Sequence, residues 1–172
     1  MIDPTLKRIA GMHVCDNGDH AFVWLSHDSI VGEVTVYDSC IFKKEVAAVI
    51  AEGINARGRF IPIAWANKVH ADSLLERGCR MIPEGVDQSN SMAEVLSREI
   101  WESMRRKSFK FDKRLKDWRE EAETFQKDKD KIPTDTHPLM AATRNAVAKI
   151  KFAKRQQSRL AKRKEGRRVA VI

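Results

Sequence analysis

The chain has 172 residues, of which 42% are hydrophobic, and carries a formal net charge of +8 with a pI near 9.6. That length suits one domain able to bury a real core. No apolar run approaches the ~18 residues needed to cross a bilayer, and "MIDPTLKRIA" lacks the apolar centre of a signal peptide, so a soluble, intracellular protein with no membrane partner is expected.

The charge is uneven. Lys149, Lys151, Lys154, Arg155, Arg159, Lys162, Arg163, Lys164, Arg167 and Arg168 face one acid, Glu165, which gives this stretch +9 and leaves about −1 for the rest. The expected organisation is a near-neutral body, residues 1–148, and a basic helical arm or tail, residues 149–172. Such an arm suits a polyanion through phosphate neutralisation; the plainer alternative is a solvated helix. Cys15, Cys40 and Cys79 form no CxxC pair, which argues against a thiolate zinc site and for free thiols in a reducing compartment.

In chain order, "RIAGMHVCD" ends in a strand-like run, and Asn17-Gly18 signals a hairpin into "HAFVWLSHD". "SIVGEVTVYDSCIF" alternates as a third antiparallel strand. "KKEVAAVIAEGINARG" switches to helical spacing, with Gly58 at the end. "RFIPIAWAN" reads as a buried strand, "HADSLLERG" as a short helix closed by Gly78, and "CRMIPEG" as another short strand. Ser91 and Glu94 suggest a capping box for the helix "SMAEVLSREIWESMRRKS". "FKF" suits an edge strand. Leu115, Trp118, Ala122 and Phe125 stripe a charged surface helix that ends in a mobile "QKDKDK". A last helix begins near Pro138 and is expected to run on toward the basic arm.

Three antiparallel strands followed by strand–helix crossovers predict an α/β, ribonuclease H-like fold: a mixed sheet of five or more strands flanked by helices. In that architecture the first strand carries a metal-binding carboxylate, which makes Asp16 the leading ligand against the alternative of an Asx turn with Gly18. Asp19 reads as a turn residue or as support behind a ligand. The fourth strand should end in a second acid; it ends instead at Asn67, with Asp72 five residues on, either a ligand or a helix-terminal charge. His70 is close enough to bind metal or orient water. Before the last helix, Asp135 is a ligand or a cap, and His137 is a weaker candidate. Arg144, two turns inside, would meet phosphate or pair with a carboxylate.

These segments together resemble the C-terminal nuclease domain of the large terminase subunit of tailed bacteriophages, over roughly residues 10 to 148. The similarity rests on Asp16 followed by "NGD", on "ADSLLERGCRMIPE", on "DQSNSMAEVLSREIWE" and on "DTHPLMAATRNAV". It implies endonucleolytic cutting of double-stranded DNA during genome packaging, in the host cytoplasm, with two Mg2+ or Mn2+ ions on Asp16, Asp72 and Asp135. The portal and small terminase subunit are implied partners. The sequence departs from the pattern at Asn67 and at Met140 or Ala141, where acids are expected. It also lacks GxxxxGK[ST], so it is not the ATPase motor. Two other readings stay open: a ribonuclease H-like DNA- or protein-binding module with a degraded site, and another enzyme of this fold such as a junction resolvase or recombinase.

Overall fold

The computed structural model describes residues 2–126 and 130–156. Strands β1 (Lys7–Val14), β2 (His20–Asp28) and β3 (Glu33–Phe42) form an antiparallel meander. Helix α1 (Ala47–Gly58) leads to the two-residue strand β4 (Ile63–Ala64), which pairs parallel to β1. Then come α2 (Lys68–Leu75), α3 (Asn90–Arg105), β5 (Phe109–Phe111), α4 (Lys116–Thr124), α5 (Pro138–Ala148) and a 3-10 turn, Ile150–Phe152. The mixed sheet has the order β4-β1-β2-β3-β5, with β5 parallel to β3. This is the expected ribonuclease H-like α/β architecture, with "FKF" as an edge strand.

Alternation along β1 sorts the two faces of the sheet. Ile9 joins Val23, Leu25, Trp118, Leu139 and Ala142 in one core, under α3, α4 and α5. Ala10 and Met12 join Phe22, Trp24, Ile50 and Leu74 in the other, under α1 and α2. Trp118 is fully buried, and its indole N–H donates to Thr143 Oγ1 at 2.9 Å, so the one polar atom of the largest side chain in that core is satisfied.

Three local expectations change. The strand expected in "CRMIPEG" is reduced to one bridge, Met81 to Ile63; Pro83 follows two residues later and has no N–H with which to continue a ladder. Helix α3 is capped by Ser89, whose hydroxyl accepts from Met92 N, and not by Ser91. Helix α5 stops at Ala148, and after the 3-10 turn the backbone of Lys154 pairs with that of Arg8 on the rim of the sheet. The first residues of the basic segment therefore lie on the body. "QKDKDK" falls partly, and residues 157–172 fall wholly, outside the described residues.

Helix α5 lies very close on β1 at Gly11. A Cβ on Gly11 would lie 1.9 Å from Ala142 O and 2.8 Å from Ala146 N. Only a bare backbone lets the helix sit this deep, and the Asn145 side chain then donates to Met12 O at 2.7 Å. Gly11→Ala should lift α5 off the strand and cost about 3 kcal/mol, read as a lower midpoint in urea unfolding. An unchanged midpoint would contradict this packing.

Candidate active site

Strands β1 and β4 run in the same direction, and their carboxyl ends open onto one cleft, the usual place for a ligand in an α/β sheet. The cleft holds about 220 Å3 and is lined by His13, Asp16, Asn67, Gln88, Thr134 and Asp135, with Met12, Val14 and Ala66 beneath. Asp16 lies two residues beyond the end of β1, at the start of the hairpin turn. The Asx contact in that turn belongs to Asn17, whose Oδ1 accepts from Asp19 N at 2.9 Å. Asp16 is thus released from turn chemistry and faces the cleft.

Asp135 arrives from the segment before α5 because that helix is pinned across β1. Its Oδ1 lies 2.9 Å from His13 Nε2, and its Oδ2 accepts from the backbone N–H of Asp16 at 2.9 Å. Burial alone would raise the Asp135 carboxyl. The Asp16 N–H and the His13 imidazole outweigh it and hold the group below the ordinary Asp value. Asp135 therefore serves as an anchored anion and not as the cap of α5. That cap comes from Glu121 of α4, whose Oε2 accepts from Leu139 N at 2.8 Å and Met140 N at 3.1 Å.

The other candidates lie apart. Asp72 is on the exposed side of α2 and pairs with Lys68 at 2.9 Å, outside the residues that line the cleft. Asn67 does line it, and its side chain caps α2 by accepting from His70 N. His70 Nδ1 meets His20 Nε2 at 3.0 Å, and His20 Nδ1 meets Gly18 O at 3.0 Å, which ties the hairpin turn to α2. Burial, helped by His70, lowers the His20 imidazole. Asp19 accepts from Lys44 N and from Asn17 in the adjoining loops. His137 meets Thr124 and Thr136 and packs edge-on to Phe125.

Among the cations expected on DNA, Arg144 is only 4% exposed. Its guanidinium donates to Pro133 O at 3.2 Å and sits over the Phe125 ring, with its charge toward Glu121. Burial pulls it down to about 10, so it remains charged at neutral pH. It braces the segment that carries Asp135 and does not meet solvent. Lys149 reaches Glu84 at 3.7 Å, and Lys151 lies over Phe152. Lys154 and Arg155 are exposed. Arg159, Lys162, Arg163, Lys164, Arg167 and Arg168 lie outside the described residues.

Sequence reasoning missed His13. Its signal was a histidine two residues before Cys15 in an apolar strand, which puts both on the α5 face. His13 Nε2, Cys15 Sγ and an Asp135 oxygen lie within 4.8 Å of one another. Burial, and then the surrounding carboxylates led by Asp135, raise the Cys15 thiol to about 11. Asp16 lines the same cleft, and its backbone N–H is bonded to Asp135.

Solved structures supply the comparison. The nuclease domain of the phage P22 large terminase superposes with a TM-score of 0.79 at 17% identity, over 90% of this chain and 87% of that one. The g2p large-terminase nuclease domain of bacteriophage SPP1, with bound Mn, gives 0.63 at 19% identity, over 81% and 84%. The large-terminase nuclease of thermophilic phage G20c, with bound cobalt, gives 0.65 at 14%, over 86% and 83%. The fold is that of phage large-terminase nuclease domains. Against the large terminase of another thermophilic bacteriophage, solved in complex with ADP, this chain spans 41% of the longer protein. No protein-family model matches the sequence, and no curated protein matches it.

The α5 cap gives a test in solution. Burial outweighs the two N–H donors and lifts the Glu121 carboxyl to about 7 from an ordinary 4.5. A raised acid contributes stability that is full below its unfolded value and lost as pH rises through the folded one. The thermal midpoint should therefore fall from about pH 5 to pH 8 in the wild type and fall less in Glu121→Gln, which keeps an accepting oxygen. Parallel profiles would contradict a buried neutral carboxyl.

Proposed function

We propose that this chain cuts DNA as a metal-dependent nuclease of the terminase type. The observation that carries the proposal is the meeting of Asp16, Asp135 and His13 at the carboxyl ends of β1 and β4, in the fold of solved terminase nucleases. Asp16 and Asp135 would hold the cation, Mg2+ or Mn2+, with His13 beside them. A cation there supplies Lewis acidity toward a phosphoryl oxygen.

The remaining residues orient the site. His13 fixes one oxygen of Asp135, the Asp16 N–H fixes the other, and both leave the carboxylate turned toward the cleft. The amides of Asn67 and Gln88 offer N–H donors to phosphate oxygens from the opposite wall. Double-stranded DNA is the proposed substrate, and contact through backbone phosphates implies little sequence preference.

A second reading has its own observation. Asn67 is an amide occupied in capping α2, Met140 and Ala141 are buried, and Asp72 is held by Lys68. These are positions where the resemblance implies acids, so a ribonuclease H-like module that binds DNA without cutting it is the competing function.

Supercoiled plasmid separates the two. With Mn2+ the wild type should nick it, and Asp16→Ala and Asp135→Asn should each lose about 100-fold in rate, an effect of the size expected at metal centres, while still shifting DNA in a gel. Shift without nicking by the wild type at every metal concentration would establish the binding module.

A further inference from the structure

At the other end of the sheet lies a larger cavity, about 1000 Å3, whose walls carry Arg8, Arg57, Arg59, Arg80, Lys154 and Arg155 and no acid. Arg8 is the second residue of β1 and Asp16 follows the strand's end, so at about 3.3 Å per residue the cavity and the carboxylate cleft are roughly 25 Å apart. Four segments distant in sequence build the wall. The backbones of Arg8 and Lys154 exchange hydrogen bonds of 2.8 and 2.9 Å, which places the first arm cations beside β1. Gly58, with φ of +138°, turns the chain after α1 so that Arg59 follows at the rim.

Not every cation there is available. Arg57 binds Asp38 at 2.6 Å and the Gly53 carbonyl, and it lies over Trp24. Among the described residues, Arg59, Arg80, Lys154 and Arg155 have no acidic partner, whereas several helix-surface cations elsewhere pair at i,i+4, as in Lys68–Asp72 and Arg98–Glu94. Arg8 lies over Phe60, and its Nε is buried without a hydrogen-bond partner. Such a group is costly to leave unsatisfied. Converging like charges in a concave wall focus a positive potential.

We infer that this cavity is a second nucleic-acid contact, which holds backbone phosphates away from the cutting site. The wall offers guanidinium forks, suited to phosphate, and its single aromatic ring is already covered by Arg8, so bases have no stacking platform. From the rim at Gln156 the sequence continues with Arg159, Lys162, Arg163 and Lys164. That favours a long polyanion over a lone phosphate. The choice of DNA rests on the nuclease proposal, so the test is run in EDTA, where binding is read without cleavage.

The experiment is anisotropy of a short labelled DNA duplex with the full chain, across KCl from about 50 to about 200 mM. Arg59→Gln with Arg80→Gln should bind about 10-fold more weakly, and the slope of log K against log salt should shrink by about two. Lys107→Gln with Lys113→Gln, exposed cations outside the cavity, removes the same charge and should change the slope far less. Equal effects of the two pairs would overturn the site. Calorimetry with inorganic pyrophosphate is the second probe. If the cavity pair loses pyrophosphate binding and keeps the duplex slope, the occupant is a free phosphate compound and the DNA assignment falls. In a separate plasmid assay with Mn2+, nicking retained by the cavity pair alongside a lost slope would leave the cutting site intact and locate the defect in the cavity.

Discussion

The contact between α5 and β1 through Gly11 is the constraint on which the candidate site depends. Ala142 and Ala146 approach the strand so closely that a single methyl group would collide with backbone. Asn145 locks the register by donating to Met12 O. With the helix fixed there, the chain entering it must pass the end of β1, and Asp135 falls against His13 and Asp16. Asp135 meets His13 and Asp16, more than a hundred residues earlier in sequence, because one helix lies flat on one strand.

That geometry also settles how charge is distributed near the cleft. Asp135 is tied on both oxygens and stays ionised, while Glu121 is drawn into the protein to cap α5 and tends toward its neutral form. Arg144, buried and charged, lies toward Glu121 and donates to the carbonyl of Pro133. Each acid that the last helix could have contributed thus has a different task. The cleft keeps two carboxylates, an imidazole and two amides, a smaller acidic set than the resemblance implies.

Much of the fold was legible because periodicity reports it directly. Alternation from Lys7 to Phe42, the Asn17-Gly18 turn and the helical spacing of Val46 to Ile54 led to the meander and α1. "FKF" was recognisable as an edge strand. "CRMIPEG" was overread, because its apolar residues pack at the edge of β4 without extending the ladder. Ser91 was preferred to Ser89 because the Glu94 spacing imitates a capping box, yet Glu94 instead pairs with Arg98. Asp16 and Asp135 were legible as acids at element ends. His13 was not, because a histidine inside an apolar strand looks like a core residue until the partner from the segment before α5 is in place. Arg144 misled for the same reason: sequence shows a cation two turns into a helix, and only packing shows which way it faces.

The most direct measurement of the central claim is a crystal structure of the chain soaked in Mn2+, with anomalous scattering used to locate the ion. The account predicts an ion held by the Asp135 and Asp16 carboxylates, with His13 Nε2 still against Asp135 Oδ1. An ion at Asp72, or an Asp135 side chain turned away from His13, would contradict it.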